Sequence, residues 1–240
     1  MNDRKNSDYR LLPEVEFNQK IDSLISKLQS KYPVKRDSIK IANQNLQFYS
    51  IDNPDYLLDQ LIEQDPNSVE VKDERLPYWA ELWPSAILMA EYILTNDLIG
   101  SNNSVIEIGC GLGLSSIAAA QKTSDITISD YQEDALIFAG LNCLANNQLE
   151  PKSLILDWRN PPTNRRYDVI LAADVAYEER FFTALENSFR VLLNASGIVL
   201  LSEPDRKIAK PFFKSLAESG WLVNKVHENL QSSLYQIQLS

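Results

Sequence analysis

An α/β fold built on a mostly parallel sheet is predicted for this 240-residue chain by three observations. From Leu76 onward, short apolar runs alternate with helical segments, the pattern of strands joined by crossover helices. Three glycines, Gly109, Gly111 and Gly113, stand between the first of those runs and the helix after it. The last two runs are separated only by HENLQSS, too short for a crossover, so they form an antiparallel hairpin.

In chain order, PEVEFNQKIDSLISKLQSKYP sets Phe17, Ile21, Leu24, Ile25 and Leu28 at helical spacing and ends on Pro33, an amphipathic helix. SIKIA and LQFYSI, joined by NQN, predict a hairpin, and DYLLDQLIEQ a short helix. DPNSVEVKDERLP is charged and almost free of core residues, which divides the chain into an N-terminal helix and β-hairpin appendage over 1–75 and a main domain over 76–240. The strands expected in that domain are SVIEI, DITIS, SLIL, YDVILAA, GIVLLS, WLVNKV and LYQIQL, with helices near 84–98, 114–122, 132–146, 178–193 and 208–219.

Composition narrows the function. The net charge of −10 and pI of about 4.7 disfavour nucleic acid as a partner. Cys110 and Cys143 are too few for a disulfide framework and sit in apolar surroundings, which fits a reducing compartment. The start MNDRKNSDYR has no apolar leader core, and no run approaches the roughly 18 apolar residues of a membrane span, so a cytoplasmic protein without a membrane partner is expected. His227 is the single histidine, which excludes a His-based triad and makes no metal site the expectation.

The glycine loop, VIEIGCGLGLS, carries the functional signal. Glycine permits positive φ and close approach of a ligand, so main-chain amides and a helix N-terminus can be brought against a polar group. A plain tight turn is the alternative, although it needs one glycine rather than three. The dinucleotide pattern GxGxxG fails at Leu114, and no lysine follows for a P-loop until Lys122. Glu107, two residues ahead of Gly109, repels a pyrophosphate and attracts an ammonium. S-adenosylmethionine fits, having an ammonium and a sulfonium, a ribose and no phosphate. Asp130, closing DITISD, stands where a ribose acceptor is needed and also serves as a helix cap. Asp157 and Trp158 end the third strand, placed for the edge and face of adenine, with core packing the other role of Trp158.

VIEIGCGLG, Asp130, LDW and the seven-strand pattern together resemble the class I, seven-β-strand S-adenosylmethionine-dependent methyltransferases over 76–240. The resemblance implies a Rossmann-like sheet of order 3-2-1-4-5-7-6 with strand 7 antiparallel, and S-adenosylhomocysteine as product. Two further stretches narrow it. In LPYWAELWPSA, Trp79 and Trp83 either wall the cofactor or staple the following helix to the sheet. In ADVAYEER, Asp174 and Tyr177 form a DxxY motif which, behind PYWAELWP, is similar to the branch that methylates protein lysines. Asp174 then attracts the ammonium and orients the amine while Tyr177 bonds it or shapes its channel; a helix cap is the alternative for Asp174. Glu81, Glu178, Glu179 and Glu203 form either an acidic rim or solvated faces. NPPT over 160–163 precedes its strand and lacks the fourth aromatic of the NPPY motif of adenine and glutamine amino-methylases, so it is a proline turn. A protein presenting a lysine is the expected substrate; a small amine, or a cofactor-binding scaffold without catalysis, are the rival readings.

Overall fold

The computed structural model describes residues 13–63 and 76–240; the expected boundary over 65–75 and the polar start lie outside the described residues. Helix α1 (Glu14–Gln29) leads into the antiparallel hairpin β1 (Val34–Ile41) and β2 (Gln44–Ile51), then α2 (Asp55–Ile62). The hairpin turn is Ala42–Asn43 rather than NQN, because Ile41 pairs with Gln44 and both turn residues have positive φ, 46° and 66°. Two such residues give the twist that suits flanking strands.

The main sheet comprises β3 (Val105–Ile108), β4 (Ile126–Asp130), β5 (Lys152–Ile155), β6 (Tyr167–Ala173), β7 (Leu193–Glu203), β8 (Trp221–Glu228) and β9 (Ser233–Leu239). Their spatial order is β5-β4-β3-β6-β7-β9-β8, which in chain order of these strands is 3-2-1-4-5-7-6. β9 is antiparallel to both neighbours and the other pairs are parallel.

Helices α3 (Pro84–Thr95), α4 (Leu114–Ala119) and α5 (Glu133–Asn147) cover one face, and α6 (Phe182–Leu192) and α7 (Lys210–Glu218) the other. Strand alternation feeds both layers. Val105, Val169, Leu171 and Leu200 join the first core, while Ile106, Ile108, Ile170 and Leu201 join the second. Pro84 opens α3, where its missing N–H costs nothing. α3 stops three residues short of the predicted end, where Asn96 turns extended (φ −124°, ψ 155°), and Thr95 Oγ1 and Asn96 Nδ2 donate to the end carbonyls of Glu91 and Tyr92. The segment expected as one helix over 178–193 begins with a 3-10 turn at Glu179–Phe181, and Leu193 already belongs to β7.

The hairpin is joined to the main sheet's helix layer by amides. Asn142, fully buried on α5, accepts from Tyr49 N (2.7 Å) and donates to Tyr49 O (3.0 Å) and to Leu112 O (2.9 Å). One turn on, Asn146 accepts from Gln47 N and donates to Gln47 O. The two side chains take the place of a strand partner along β2. α1 seats Leu28 in the same core, and Tyr32 and Lys31 bond Asp134 at the start of α5.

Candidate functional site

β3, β4 and β6 end at the place where the order of the sheet reverses, and a cavity of about 170 Å³ opens there. Its lining brings together Trp79, Trp83, Glu107, Gly109, Gly111, Gly113, Asp130, Asp157, Trp158, Asp174 and Tyr177.

The three glycines have positive φ, 63°, 49° and 80°, but their neighbours differ. A Cβ on Gly109 would stand 3.1 Å from Val175 Cγ1 and 3.3 Å from Trp158 Cζ2, and one on Gly111 3.1 Å from Trp79 O. On Gly113 it would strike Ala139 of α5 at 2.7 Å, so this glycine serves the helix packing of the chain itself rather than a ligand.

Glu107 does not stand at the mouth of the loop. It is 1% exposed, and its Oε2 accepts from Ser116 N (2.9 Å) and Ser116 Oγ (2.5 Å). The carboxylate thus takes up an amide of the first turn of α4 that the sequence offered to a ligand. Burial pushes its pKa up to about 7 against those hydrogen bonds. Asp130, also buried, accepts from Gly111 N (3.0 Å) through Oδ2 and from Gln132 N (2.9 Å) through Oδ1, which locks the glycine loop to the start of α5. Burial again dominates, and its pKa rises to about 6. Each of the two Asp130 oxygens accepts one of these bonds and keeps a further lone pair.

Asp157 accepts from the main chain and guanidinium of Arg159. Trp158 meets Phe181 edge to face, with ring centroids 6.0 Å apart. Trp79 packs on Tyr32 and Phe138, at 6.0 and 5.9 Å, and Trp83 donates its indole N–H to Tyr78 O (2.9 Å). Both tryptophans therefore combine a packing role with a place in the cavity wall.

On the opposite side, Tyr78 meets Tyr177 at 5.5 Å and Trp83 at 5.9 Å, both edge to face. Burial raises the Tyr177 phenol above its ordinary value. Asp174, 8% exposed and with φ of 60°, pairs through Oδ1 with Arg206, while its Oδ2 is buried and has no hydrogen-bond partner among the described residues. Glu203 is fully buried and accepts from Arg206 N, so it belongs to no solvent-facing rim. Tyr78 and Arg206 were missed in the sequence: Tyr78 was visible as a third aromatic in YWAELW, whereas nothing local announced that Arg206 reaches back to Asp174.

The residues fit an S-adenosylmethionine. Two glycines leave main chain bare to the cavity, and the lining carries Glu81, Glu107, Asp130, Asp174 and Glu178 with a single described cation, Arg159, already paired to Asp157. That balance suits a cationic ligand and opposes a pyrophosphate.

Sheet order, reversed ninth strand and glycine loop define the class I S-adenosylmethionine-dependent methyltransferase fold. Magnesium protoporphyrin IX methyltransferase from Synechocystis PCC 6803, solved with bound S-adenosylmethionine, superposes with a TM-score of 0.52 at 18% identity, covering 79% of this chain and 92% of that one. The sequence profile described as lysine methyltransferase matches residues 65–219, and the chain belongs to that family. It is 33% identical over 132 residues to the electron transfer flavoprotein beta subunit lysine methyltransferase of Danio rerio, covering 54% of this chain and 51% of that protein. It is 32% identical over 143 residues to protein N-lysine methyltransferase METTL21A of Xenopus tropicalis, covering 57% and 66%. The chain thus spans less than two thirds of the length of either relative.

Proposed function

We propose that this protein transfers a methyl group from S-adenosylmethionine to the side-chain amine of a lysine in a protein substrate. The observation that carries the reading is Asp174: a buried carboxylate with one oxygen unpartnered, at the end of β6 in the acidic cavity, beside the Tyr78 and Tyr177 rings. An unpaired buried carboxylate oxygen is costly, and an incoming ammonium relieves the cost. Membership of the lysine methyltransferase family supports the same acceptor.

When bound, S-adenosylmethionine supplies an electrophilic methyl group on a cationic sulfur. In this reading Gly109 and Gly111 offer main chain to its amino-acid end, and Asp130 offers its remaining lone pairs to ribose hydroxyls. Asp157 and Trp158 meet the adenine, and Trp79 and Trp83 close the wall. Glu107 acts through charge and through the start of α4 that it holds. Asp174 orients the lysine nitrogen, Tyr177 narrows its channel, and the aromatic rings exclude water from the amine. The buried free thiols of Cys110 and Cys143 support a cytoplasmic location, and no described helix is long and apolar enough to cross a membrane. Residues 1–75 are taken as an appendage to the cofactor domain over 76–240, its described part packed on α5.

The test is to incubate the protein with methyl-labelled S-adenosylmethionine and an extract of its own cells, then resolve the products on a denaturing gel. A discrete acid-stable band whose tryptic peptides carry methyl-lysine is expected. Label confined to small molecules would replace the protein substrate with a metabolite amine. Cofactor binding with no transfer to any component would point to a scaffold.

A further inference from the structure

Arg206 is bound by two carboxylates. Its Nη1 pairs with Asp174 Oδ1 and lies 3.2 Å from Glu203 Oε1, and its main-chain N–H donates to Glu203 Oε2 at 2.9 Å. Glu203, the last residue of β7, is fully buried. The turn between the two is also tied from behind. Asp205 has φ of 56° and accepts from Ser233 Oγ (2.6 Å) and Tyr235 Oη (2.8 Å) of β9, with Lys225 Nζ of β8 at 3.8 Å. Asp174 itself is strained into the left-handed region, and its N–H donates to Ser202 O of β7 at 2.8 Å. The backbone strain at Asp174 is therefore held from the β7–β9 side of the sheet.

The charges at this end are two carboxylates and one guanidinium, a local sum of −1. Arg206 takes one oxygen of Asp174, Glu203 takes Arg206, and one polar atom in the cluster, Asp174 Oδ2, is left buried without a partner. One cation would complete the set. We infer that Arg206 is a positioning residue which, anchored on Glu203, fixes the Asp174 side chain so that Oδ2 alone is presented to the acceptor ammonium. Arg206 contacts neither the amine nor the cofactor. It acts through Asp174, and it sets how well the amine is seated rather than how the cofactor is held. A single nitrogen, Nη1, serves both carboxylates, its N–H directions fixed by the plane of the guanidinium; a lysine is a point charge without that plane.

The inference rests on the proposed lysine seat at Asp174, and the test separates the two. The probe is an S-adenosylmethionine skeleton with nitrogen in place of sulfur, bearing a short alkyl arm that ends in a primary ammonium; its control carries the same arm ending in methyl. Binding of both, and of S-adenosylhomocysteine, is measured by calorimetry for the wild type, Arg206→Lys, Arg206→Met and Asp174→Asn. The wild type should favour the ammonium arm by about tenfold or more. Arg206→Met should lose most of that preference, Arg206→Lys should keep part of it, and affinity for S-adenosylhomocysteine should stay within about twofold in both, which also certifies folding. A full preference surviving in Arg206→Met would overturn the positioning role. A preference that grows in that variant would overturn it too, showing Arg206 to be a competitor for the seat. A wild type without preference for the ammonium, though it binds S-adenosylhomocysteine, would remove the Asp174 seat and this inference with it.

Discussion

The two sides of the cavity treat their buried carboxylates in opposite ways. At the ends of β3 and β4, Glu107 and Asp130 are bound by amides of the chain's own glycine loop and helix starts. At the ends of β6 and β7, Asp174 is held in a strained conformation with one oxygen taken by Arg206 and the other left without a partner. Satisfied carboxylates make a rigid cradle; an unsatisfied one makes a seat that a ligand must complete. In the proposed reading, the preformed side holds the cofactor and the incomplete side receives the acceptor.

The sharpest way to break the cradle is Gly113→Ala. A Cβ there would meet Ala139 at 2.7 Å while the backbone sits at φ of 80°. Strain of about 1–2 kcal/mol and overpacking of about 1–3 kcal/mol combine to a destabilisation of about 2–5 kcal/mol, to be read from denaturant unfolding. Asn142→Ala strikes the same side from behind, leaving the Tyr49 and Leu112 groups without their amide partner; about 2–4 kcal/mol should be lost by the same measurement.

Titration sharpens the contrast without a mutation. Burial raises Glu107 to about 7 and Asp130 to about 6, both above their ordinary values, so the folded protein keeps protons that the unfolded chain has lost. The empty protein should therefore gain stability from these groups as pH falls from about 8 to about 5. A cationic ligand favours the ionised forms, so affinity for S-adenosylmethionine should rise with pH over about 6 to 8, by at most about tenfold per unit for each group. Calorimetry in buffers of different ionisation enthalpy should show proton release on binding, reduced in Glu107→Gln. The smallest effect is expected at the surface: Lys27 and Glu133, 3.6 Å apart and both exposed, should change stability by under about 0.5 kcal/mol when Lys27 becomes Ala.

Much of the cradle was legible because its signals are local. VIEIGCGLG encodes a buried strand and a bare loop, and Asp130 follows at the end of the next strand. The helix and hairpin of the N-terminal segment were legible from period alone, but their attachment was not: Asn142 and Asn146 look like ordinary polar residues of a helix until β2 lies beside them. The partner of Glu107 was not legible for a related reason. Position in a strand fixes the face of a side chain, yet only the packed α4 shows that Ser116 waits there to bind it. Asp174 and Tyr177 were visible as a motif, whereas Arg206 and the buried state of Glu203 depend on a turn after β7 folding back over the end of β6.

The division between the two sides is tested most directly by measuring S-adenosylmethionine affinity and the rate of methyl transfer to a purified acceptor side by side for the wild type and Asp174→Asn. Affinity should stay within about twofold while transfer falls by at least about tenfold to a hundredfold. Transfer at the wild-type rate, or an equal loss of affinity and transfer, would contradict an acceptor seat separate from the cofactor cradle.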